Sequence, residues 1–478
     1  MLIQLVTERP DNADTLVLFL TEEDKLYPHS PMAEKLLEAM KERGDFTGKY
    51  KETVVVYEKK YRILLVGLGK ISELDEEKTR ILASSCIKAL HHLKNVKQAV
   101  LEMPESLKNA LQIALLEGLL LSRYGFYEYK KDTHTLEQLL ILFASKQATD
   151  AFKDLEKVHE AVDLARDLVN ANADSITPTR LAQEAIDLSN TYPNIKTTVL
   201  RKNELERLGF GLLLAVAKGS SDEPALIIME YKGAEDSKEK PVAFLGKGIT
   251  FDTGGLNLKP TGSIETMKCD MAGAAAVIGV MKAAASIKLK KNFVSVVASC
   301  ENAIGPLSYK PGDVIKSLNG KTVEINNTDA EGRLVLSDAI TYIQRQMGIS
   351  SIIDLATLTG AITIALGEEA AGLFTRSKKL EEKLLESADK TGEKLWPMPL
   401  YHEFKDQLKS PIADLKNSGK RLGGASTGAL FIEAFVDEGT EWAHLDIAGV
   451  AYISEPKMYH NSLATGFGVR LLLQFLKA

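Results

Sequence analysis

Four carboxylates, two lysines and one arginine are set into apolar or glycine-rich sequence in the stretch that begins at Lys247 and ends at Arg333. It opens Lys247-Gly-Ile-Thr-Phe-Asp252-Thr-Gly-Gly, runs through Lys259 and Asp270, and closes on Asn327-Thr-Asp329-Ala-Glu331-Gly-Arg333. Carboxylates gathered at the ends of buried strands repel one another unless cations lie between them, and two divalent ions meet that need. The chemistry is then that of a two-metal hydrolase. Two ions about 3.5–4 Å apart share a water and lower its pKa. No histidine lies between Lys247 and Arg333, which removes the His-pair pattern of zinc proteases. Oxygen ligands admit Mg²⁺, Mn²⁺ or Zn²⁺. A lysine among the ligands has to be neutral, and a nearby dication together with burial lowers its pKa in that direction. Lys259 stays charged and polarises the bond under attack. The competing reading, that each acid caps a helix or closes a turn, serves for any one of them but not for the apolar neighbours of the whole set.

Such a site needs strand ends to hold it. Apolar runs predict strands at Ala225 to Met229, Val242 to Leu245, Phe293 to Ala298, Val323 to Asn326, Ile352 to Ala356, Gly372 to Thr375 and Ala443 to Ile447, with helical segments between several of them. This alternation predicts an α/β fold with a mostly parallel, mixed sheet covered by helices on both faces, which binds ligands at the carboxyl ends of its strands. Lys247 follows the run ending at Leu245, Asp329 and Glu331 follow the run ending at Asn326, and Thr357-Leu-Thr-Gly360 follows the run ending at Ala356. Asp270 is placed inside a helix from Met267 to Ala285, rich enough in Ala and Gly to press against the sheet.

At 478 residues and 45% hydrophobic content, the chain is long enough for two cores. Residues 1–150 form a smaller N-terminal α/β domain, with strands at Thr15 to Phe19 and Tyr61 to Val66 and helices at Glu76 to His92 and Ala110 to Ser122. Residues 151–172 are a linker helix, and residues 173–478 the catalytic domain, whose start is marked by Thr177-Pro178. Val66-Gly-Leu-Gly69-Lys70 resembles the opening of a dinucleotide fingerprint, but the third glycine and an acidic partner are missing, so it reads as a strand-to-helix turn. His91 and His92 are adjacent on a helix and diverge by about 100°, which suits a solvated helix end better than a metal pair. Net charge is −6, with no long basic run to suggest nucleic acid. Three widely spaced cysteines, Cys86, Cys269 and Cys300, form no zinc pattern and suggest a reducing compartment. No secretory signal and no stretch of membrane-spanning length is read from the sequence, which makes the expected location cytoplasmic.

The motifs around Lys247, Lys259, Met267-Lys-Cys-Asp270-Met and Asn327 to Arg333 resemble the signature of the leucine aminopeptidase (cytosol aminopeptidase, leucyl aminopeptidase) family. The resemblance runs from about Asn170 to the C-terminus and takes in Trp396-Pro-Met-Pro399, Gly423-Gly-Ala-Ser-Thr-Gly428 and His444-Leu-Asp-Ile-Ala-Gly449. Asn170-Ala-Asn-Ala departs from it, since many relatives carry proline after the asparagine; this bears on the path of a loop.

The resemblance implies a metal-dependent aminopeptidase that releases N-terminal leucine or other medium-sized apolar residues from peptides with a free N-terminus. It implies that Lys247, Asp252, Asp270 and Glu331 hold one ion, and Asp252, Asp329 and Glu331 the other. The peptide amine meets the first ion and Asp270, the scissile carbonyl meets the second ion and Lys259, and Arg333 anchors a bicarbonate acting as general base. Met267, Asn327, Thr357, Leu358, Gly360 and Ala448 are the implied substrate-binding positions. A homohexamer is also implied. Two other classes share part of the pattern. A two-metal phosphoesterase uses similar carboxylates but seldom an internal lysine. A DNA-binding or regulatory role, alone or beside peptidase activity, is known within the family and is opposed here by the acidic charge balance.

Overall fold

The computed structural model describes residues 1–10, 13–22, 40, 42–57, 62–131, 136–235, 237–461 and 463–478. Two compact units are present, Met1–His159 with Glu455–Asn461, and Glu160–Ser454 with Ser462–Ala478.

The first unit is built on strands β1 (Leu2–Leu5), β2 (Thr15–Thr21), β3 (Thr53–Tyr57), β4 (Arg62–Gly69), β5 (Gln98–Glu102) and β6 (Gln138–Leu142), in the sheet order β1-β6-β5-β2-β4-β3. Among the described residues the β3–β4 pair is antiparallel and the other pairings are parallel. The apolar run along β2 explains the burial of both faces, with Val17 and Phe19 in one core and Leu16, Leu18 and Leu20 in the other. The expected strand from Tyr61 begins at Arg62 among the described residues; Tyr61 lies outside them. The helix Glu76–His92 matches its sequence reading and starts at Asp75, whose carboxylate accepts the Lys78 amide at 2.7 Å. The second helix is Asn109–Ser122. Gly67 of the dinucleotide-like stretch serves a close approach of chain, since a Cβ there would sit 1.9 Å from the Lys49 carbonyl oxygen.

The helix read as Ala151 to Asn172 spans Lys146–Asn170, and the boundary between the compact units falls within it. The next helix, Pro178–Thr191, has Thr177 as its N-cap and proline in its first turn, as its sequence suggests.

The second unit contains β7 (Ile195–Arg201), β8 (Ala225–Lys232), β9 (Val242–Asp252), β10 (Asn292–Asn302), β11 (Val314–Lys316), β12 (Thr322–Glu324), β13 (Ser351–Ala356), β14 (Ala371–Thr375), β15 (Leu395–Pro397), β16 (Leu415–Lys416) and β17 (Glu441–Asp446). Eight of these form one mixed sheet in the order β15-β14-β17-β13-β9-β10-β8-β7. Its centre, β17-β13-β9-β10, is parallel throughout. Ala243, Leu245 and Ile249 of β9 face a core shared with the helices Gly211–Ala217, Gly332–Gln346 and Gly424–Glu433. On the opposite face the helix Ala272–Ser286 lies against the sheet through glycine: a Cβ on Gly273 would be 2.1 Å from the Leu355 carbonyl oxygen. The fold is thus the expected two-part α/β arrangement.

The structure differs from the sequence expectation at four places. The run at Val242 continues as strand to Asp252, so Lys247 lies inside β9 rather than after it, and Asp252 is its last residue. The run at Val323 belongs to a separate three-stranded sheet, β11-β12-β16, so Asp329 and Glu331 approach the site from outside the main sheet. Asp270 does not lie in a helix: a 3-10 turn, Ile264–Cys269, ends at it, and the α-helix starts at Ala272. Finally, Ile264–Ser286 does have the length and apolar composition of a membrane span, but 89% of its most apolar window is buried inside the unit, as befits a core element. The sequence reading missed β7, whose alternation is blurred by Lys and Thr on a half-exposed edge.

Asp338, fully buried on the helix Gly332–Gln346, ties neighbouring pieces of this layer together. It accepts the amides of Leu212 at 2.8 Å and Leu213 at 3.1 Å on one oxygen and that of Leu318 at 2.8 Å on the other. Burial pushes its carboxyl up to about 7 against the pull of these donors. An asparagine must turn its NH₂ toward one of these N–H groups. Asp338→Asn is therefore expected to destabilise this unit by about 1–3 kcal/mol, the range for an unmatched buried donor, read as a lower midpoint in chemical denaturation.

Candidate metal centre

β9 delivers the first two groups. Its inward residue Lys247 is 3% exposed and its ammonium lies 2.8 Å from Asp270 Oδ1 and 2.8 Å from Glu331 Oε1. It also donates to the Thr357 carbonyl at 3.0 Å. Burial pulls the lysine pKa down, but Asp270, Glu331 and Asp252 together raise it above its ordinary value. The Lys247 nitrogen thus faces three acceptors, two carboxylates and a carbonyl. The neutral amine expected from the sequence requires a cation beside it. Gly332 makes the approach feasible, since a Cβ there would lie 2.5 Å from Lys247 Cε.

After Asp252 the chain turns through Gly254 and Gly255, at φ +85° and +63°, values that favour glycine. A Cβ on Gly254 would come within 2.8 Å of Asp329 Oδ1. This turn returns Lys259 to the cluster, 2.9 Å from Asp252 Oδ2 and 2.5 Å from Asp329 Oδ1. Burial lowers the Lys259 pKa, and Asp252, Glu331 and Asp329 outweigh that and raise it. Among the acids, burial with Glu331 close by raises Asp252 to about 6 despite both lysines. Burial also raises Asp270 and Asp329 against the pull of the lysines. Glu331 goes the other way: burial disfavours its charge, but Lys247 and Lys259 hold its pKa below the ordinary value.

The donor set fits a hard cation. Asp252, Asp329 and Glu331 each offer an oxygen, all within 4.8 Å of one another. Asp270 Oδ2 and Glu331 Oε2 are buried without a hydrogen-bond partner among the described residues. Oxygen ligands of this kind suit Mg²⁺ or Mn²⁺ and are accepted by Zn²⁺.

Neutral residues that the sequence reading passed over fix the geometry. Asn302 donates to Asp252 Oδ1 at 2.7 Å and to the Thr328 carbonyl at 3.0 Å. The Thr328 hydroxyl donates to Gly254 O at 2.6 Å and accepts the Asn257 amide at 2.8 Å, stitching the two acidic loops together. Asn417, fully buried, donates to the Asn327 carbonyl at 2.6 Å and accepts the Asn326 amide at 3.0 Å. Its own carbonyl accepts from Arg333 at 2.9 Å. Burial lowers Arg333 to about 10, and its buried Nε has no hydrogen-bond partner. No motif announced Asn302 or Asn417, because an isolated asparagine carries no periodic signal.

The positions implied for substrate divide into those tied to the cluster and those beside it. Thr357 touches it twice, through its carbonyl to Lys247 and through its hydroxyl, which donates to Asp270 Oδ1 at 2.7 Å. Asn327 accepts the Asp329 amide at 3.0 Å and so shapes the acidic loop. The Leu358 and Ala448 amides share one acceptor, Asp446 Oδ1, at 3.1 and 3.3 Å. Gly360 is the exposed first residue of the helix Gly360–Leu366, and Met267 lies half-buried in the 3-10 turn that ends at Asp270.

A profile described as "Cytosol aminopeptidase family, catalytic domain" matches residues 163–473, and one described as "Cytosol aminopeptidase family, N-terminal domain" matches residues 17–133. A relative from Protochlamydia amoebophila, named a probable cytosol aminopeptidase, is 45% identical over 457 residues, covering 92% of this chain and 90% of that protein. One of the same name from Roseiflexus castenholzii is 41% identical, covering 97% and 96%. Among solved structures, a tomato leucine aminopeptidase mutant is similar with a TM-score of 0.88 at 35% identity, covering 100% of this chain and 96% of that one. The bottromycin maturation enzyme BotP in complex with Mn gives 0.87 at 30% identity, covering 97% and 99%.

The α/β frame and these likenesses define a metal-dependent hydrolase, an aminopeptidase that acts on peptides. The chain belongs to the cytosol aminopeptidase family. A phosphoesterase or a DNA-binding role in place of peptidase activity is not favoured by these likenesses.

Glu331 faces both lysines and leaves one buried oxygen unmatched, so its loss should disturb the centre more than that of a peripheral acid. Glu331→Ala is expected to lose bound metal and about 10–100-fold or more in activity, with the circular dichroism spectrum retained. Full activity and unchanged metal content by elemental analysis would remove it from the centre.

Proposed function

We propose that the enzyme is a two-metal leucyl aminopeptidase, with Lys247, Asp252, Asp270 and Glu331 facing one ion and Asp252, Asp329 and Glu331 the other. The observation that carries this reading is the buried cluster itself, in which three acids converge within 4.8 Å and carboxylate oxygens of Asp270 and Glu331 stand unmatched. Mn²⁺ or Zn²⁺ is the proposed metal, with Mg²⁺ admitted at one position; the complex of BotP with Mn supports manganese. Such ions supply Lewis acidity and lower the pKa of water near them.

The chain's own groups divide the remaining work. Asp270 offers its unmatched oxygen to the free amine of the peptide. Lys259, charged and 15% exposed, donates to the scissile carbonyl oxygen as negative charge develops there. Arg333, with its unmatched Nε, would hold a bicarbonate, which would supply a general base there. Met267, Thr357, Gly360 and Ala448 shape the place for the first side chain, and Asn327 and Leu358 are further substrate-binding positions. The likeness to a leucine aminopeptidase supports a medium-sized apolar residue there. The family description supports a cytoplasmic location, and a homohexamer is the proposed assembly.

A free amine is essential in this scheme. A leucyl amide is expected to be cleaved and its N-acetyl form left intact; comparable rates on the two would argue for an endopeptidase.

The two lysines should separate on substitution. Lys259→Ala is expected to keep its metal and lose about 10²–10³ in kcat, the usual effect of removing one preorganised donor to a developing oxyanion. Lys247→Ala is expected to weaken metal binding. An active Lys259→Ala enzyme, or one depleted of metal, would remove Lys259 from this role.

A further inference from the structure

β17 carries three polar or amphipathic side chains at alternate positions, Trp442, His444 and Asp446, all buried. Buried polar groups are costly unless each has a partner. The first two find theirs on β13, where the fully buried Asp354 accepts from Trp442 Nε1 at 2.7 Å and lies 2.6 Å from His444 Nδ1. Phe374 stacks on the His444 ring at 5.7 Å. These contacts leave the end of β17 little freedom. Asp446 is the last residue of that end.

Its carboxylate is spent entirely on two loops. Oδ1 accepts the amides of Leu358 and Ala448, and Oδ2 accepts the Thr359 hydroxyl at 2.7 Å. Thr359 in turn caps the helix Gly360–Leu366 by accepting the Ile362 amide at 3.2 Å. One fully buried side chain thereby sets the spacing between the 357–360 turn and the 447–449 turn.

We propose that Asp446 is a specificity-positioning residue, which fixes the width of the cavity for the first side chain of the peptide by holding Leu358, Thr359 and Ala448 in register. This rests on the reading that Thr357, Gly360 and Ala448 line that cavity, the first two on the turn that Leu358 and Thr359 anchor to Asp446. Asp446 makes no hydrogen bond to the acidic cluster among the described residues; it adjoins the site through the Thr357 turn and through its charge on Arg333. Its effect falls on discrimination between side chains, with metal binding untouched.

The experiment compares kcat/KM for leucyl, alanyl and phenylalanyl p-nitroanilides in wild type, Asp446→Ala, Asp446→Asn and Thr359→Val, with metal content and circular dichroism on each. Asp446→Ala is expected to lower the leucyl-over-alanyl ratio about tenfold, the order that one misplaced methylene is worth in an apolar pocket. Metal content should be unchanged. Asp446→Asn keeps an oxygen for both amides, and its NH₂ can donate to the Thr359 hydroxyl, so it should restore most of the ratio. Thr359→Val removes one arm and should fall between them. A folded Asp446→Ala with the wild-type ratio overturns the proposal, as does one that has lost metal. If Asp446→Ala fails to fold, an unchanged ratio in Thr359→Val overturns it. A wild type that does not distinguish leucyl from alanyl substrate would instead refute the reading of the cavity.

Discussion

Four carboxylates are held together in a protein interior, and two lysines from the same chain are threaded among them. An unpaired charge moved from water into such an interior loses several kcal/mol of solvation, so no member of the group is stable there alone. Lys247 between Asp270 and Glu331, and Lys259 between Asp252 and Asp329, each offset one of the two negative charges they separate. Mutual repulsion and burial still raise the pKa of Asp252, Asp270 and Asp329. That residual mismatch, with carboxylate oxygens that lack hydrogen-bond partners among the described residues, suits the cluster to a divalent ion, which supplies more positive charge per unit volume than an ammonium group.

The surrounding structure follows from keeping this cluster compact. Lys247 can lie between its partners only because Gly332 leaves room, and the loop after Asp252 can fold back only through two glycines at positive φ. Neutral amides and hydroxyls carry the fixing. Asn302, Thr328 and Asn417 hold the acidic loops without adding charge, which matters where every extra charge would shift its neighbours. Asp446 is an exception in charge but not in logic. Its carboxylate lies outside the cluster and is satisfied by two amides and a hydroxyl.

The sheet supplies rigidity in two different ways. β9 and β13 are central and parallel, covered on both faces, and bring Lys247, Asp252 and the Thr357 turn to their places as strand or strand-end residues. Asp329 and Glu331 instead come from a loop that leaves the small β11-β12-β16 sheet and enters the helix Gly332–Gln346. One half of the centre is thus set by a continuous hydrogen-bonded ladder, and the other by side-chain clamps to the 417 region. Lys259 lies on a hydrogen-bonded turn, which leaves it the more exposed of the two lysines.

Sequence alone determined the residue set and the class of fold, and for a physical reason: alternating apolar runs are a local property, and acids beside them are conspicuous because they are costly to bury. The helix Glu76–His92 and the strands β2 and β13 were legible within a residue or two on that basis. So was the gathering of Lys247, Asp252, Lys259, Asp270, Asp329 and Glu331, which the structure brings to one place. Tertiary structure decided which partner each took. Pairing Val323 with Ile315 and Leu415 rather than with the main sheet depends in part on contacts across about ninety residues, and no local pattern encodes them. The same holds for Asn302, Asn417 and Asp446. Their side chains matter because of what lies opposite them in space, and that is fixed only when distant segments meet.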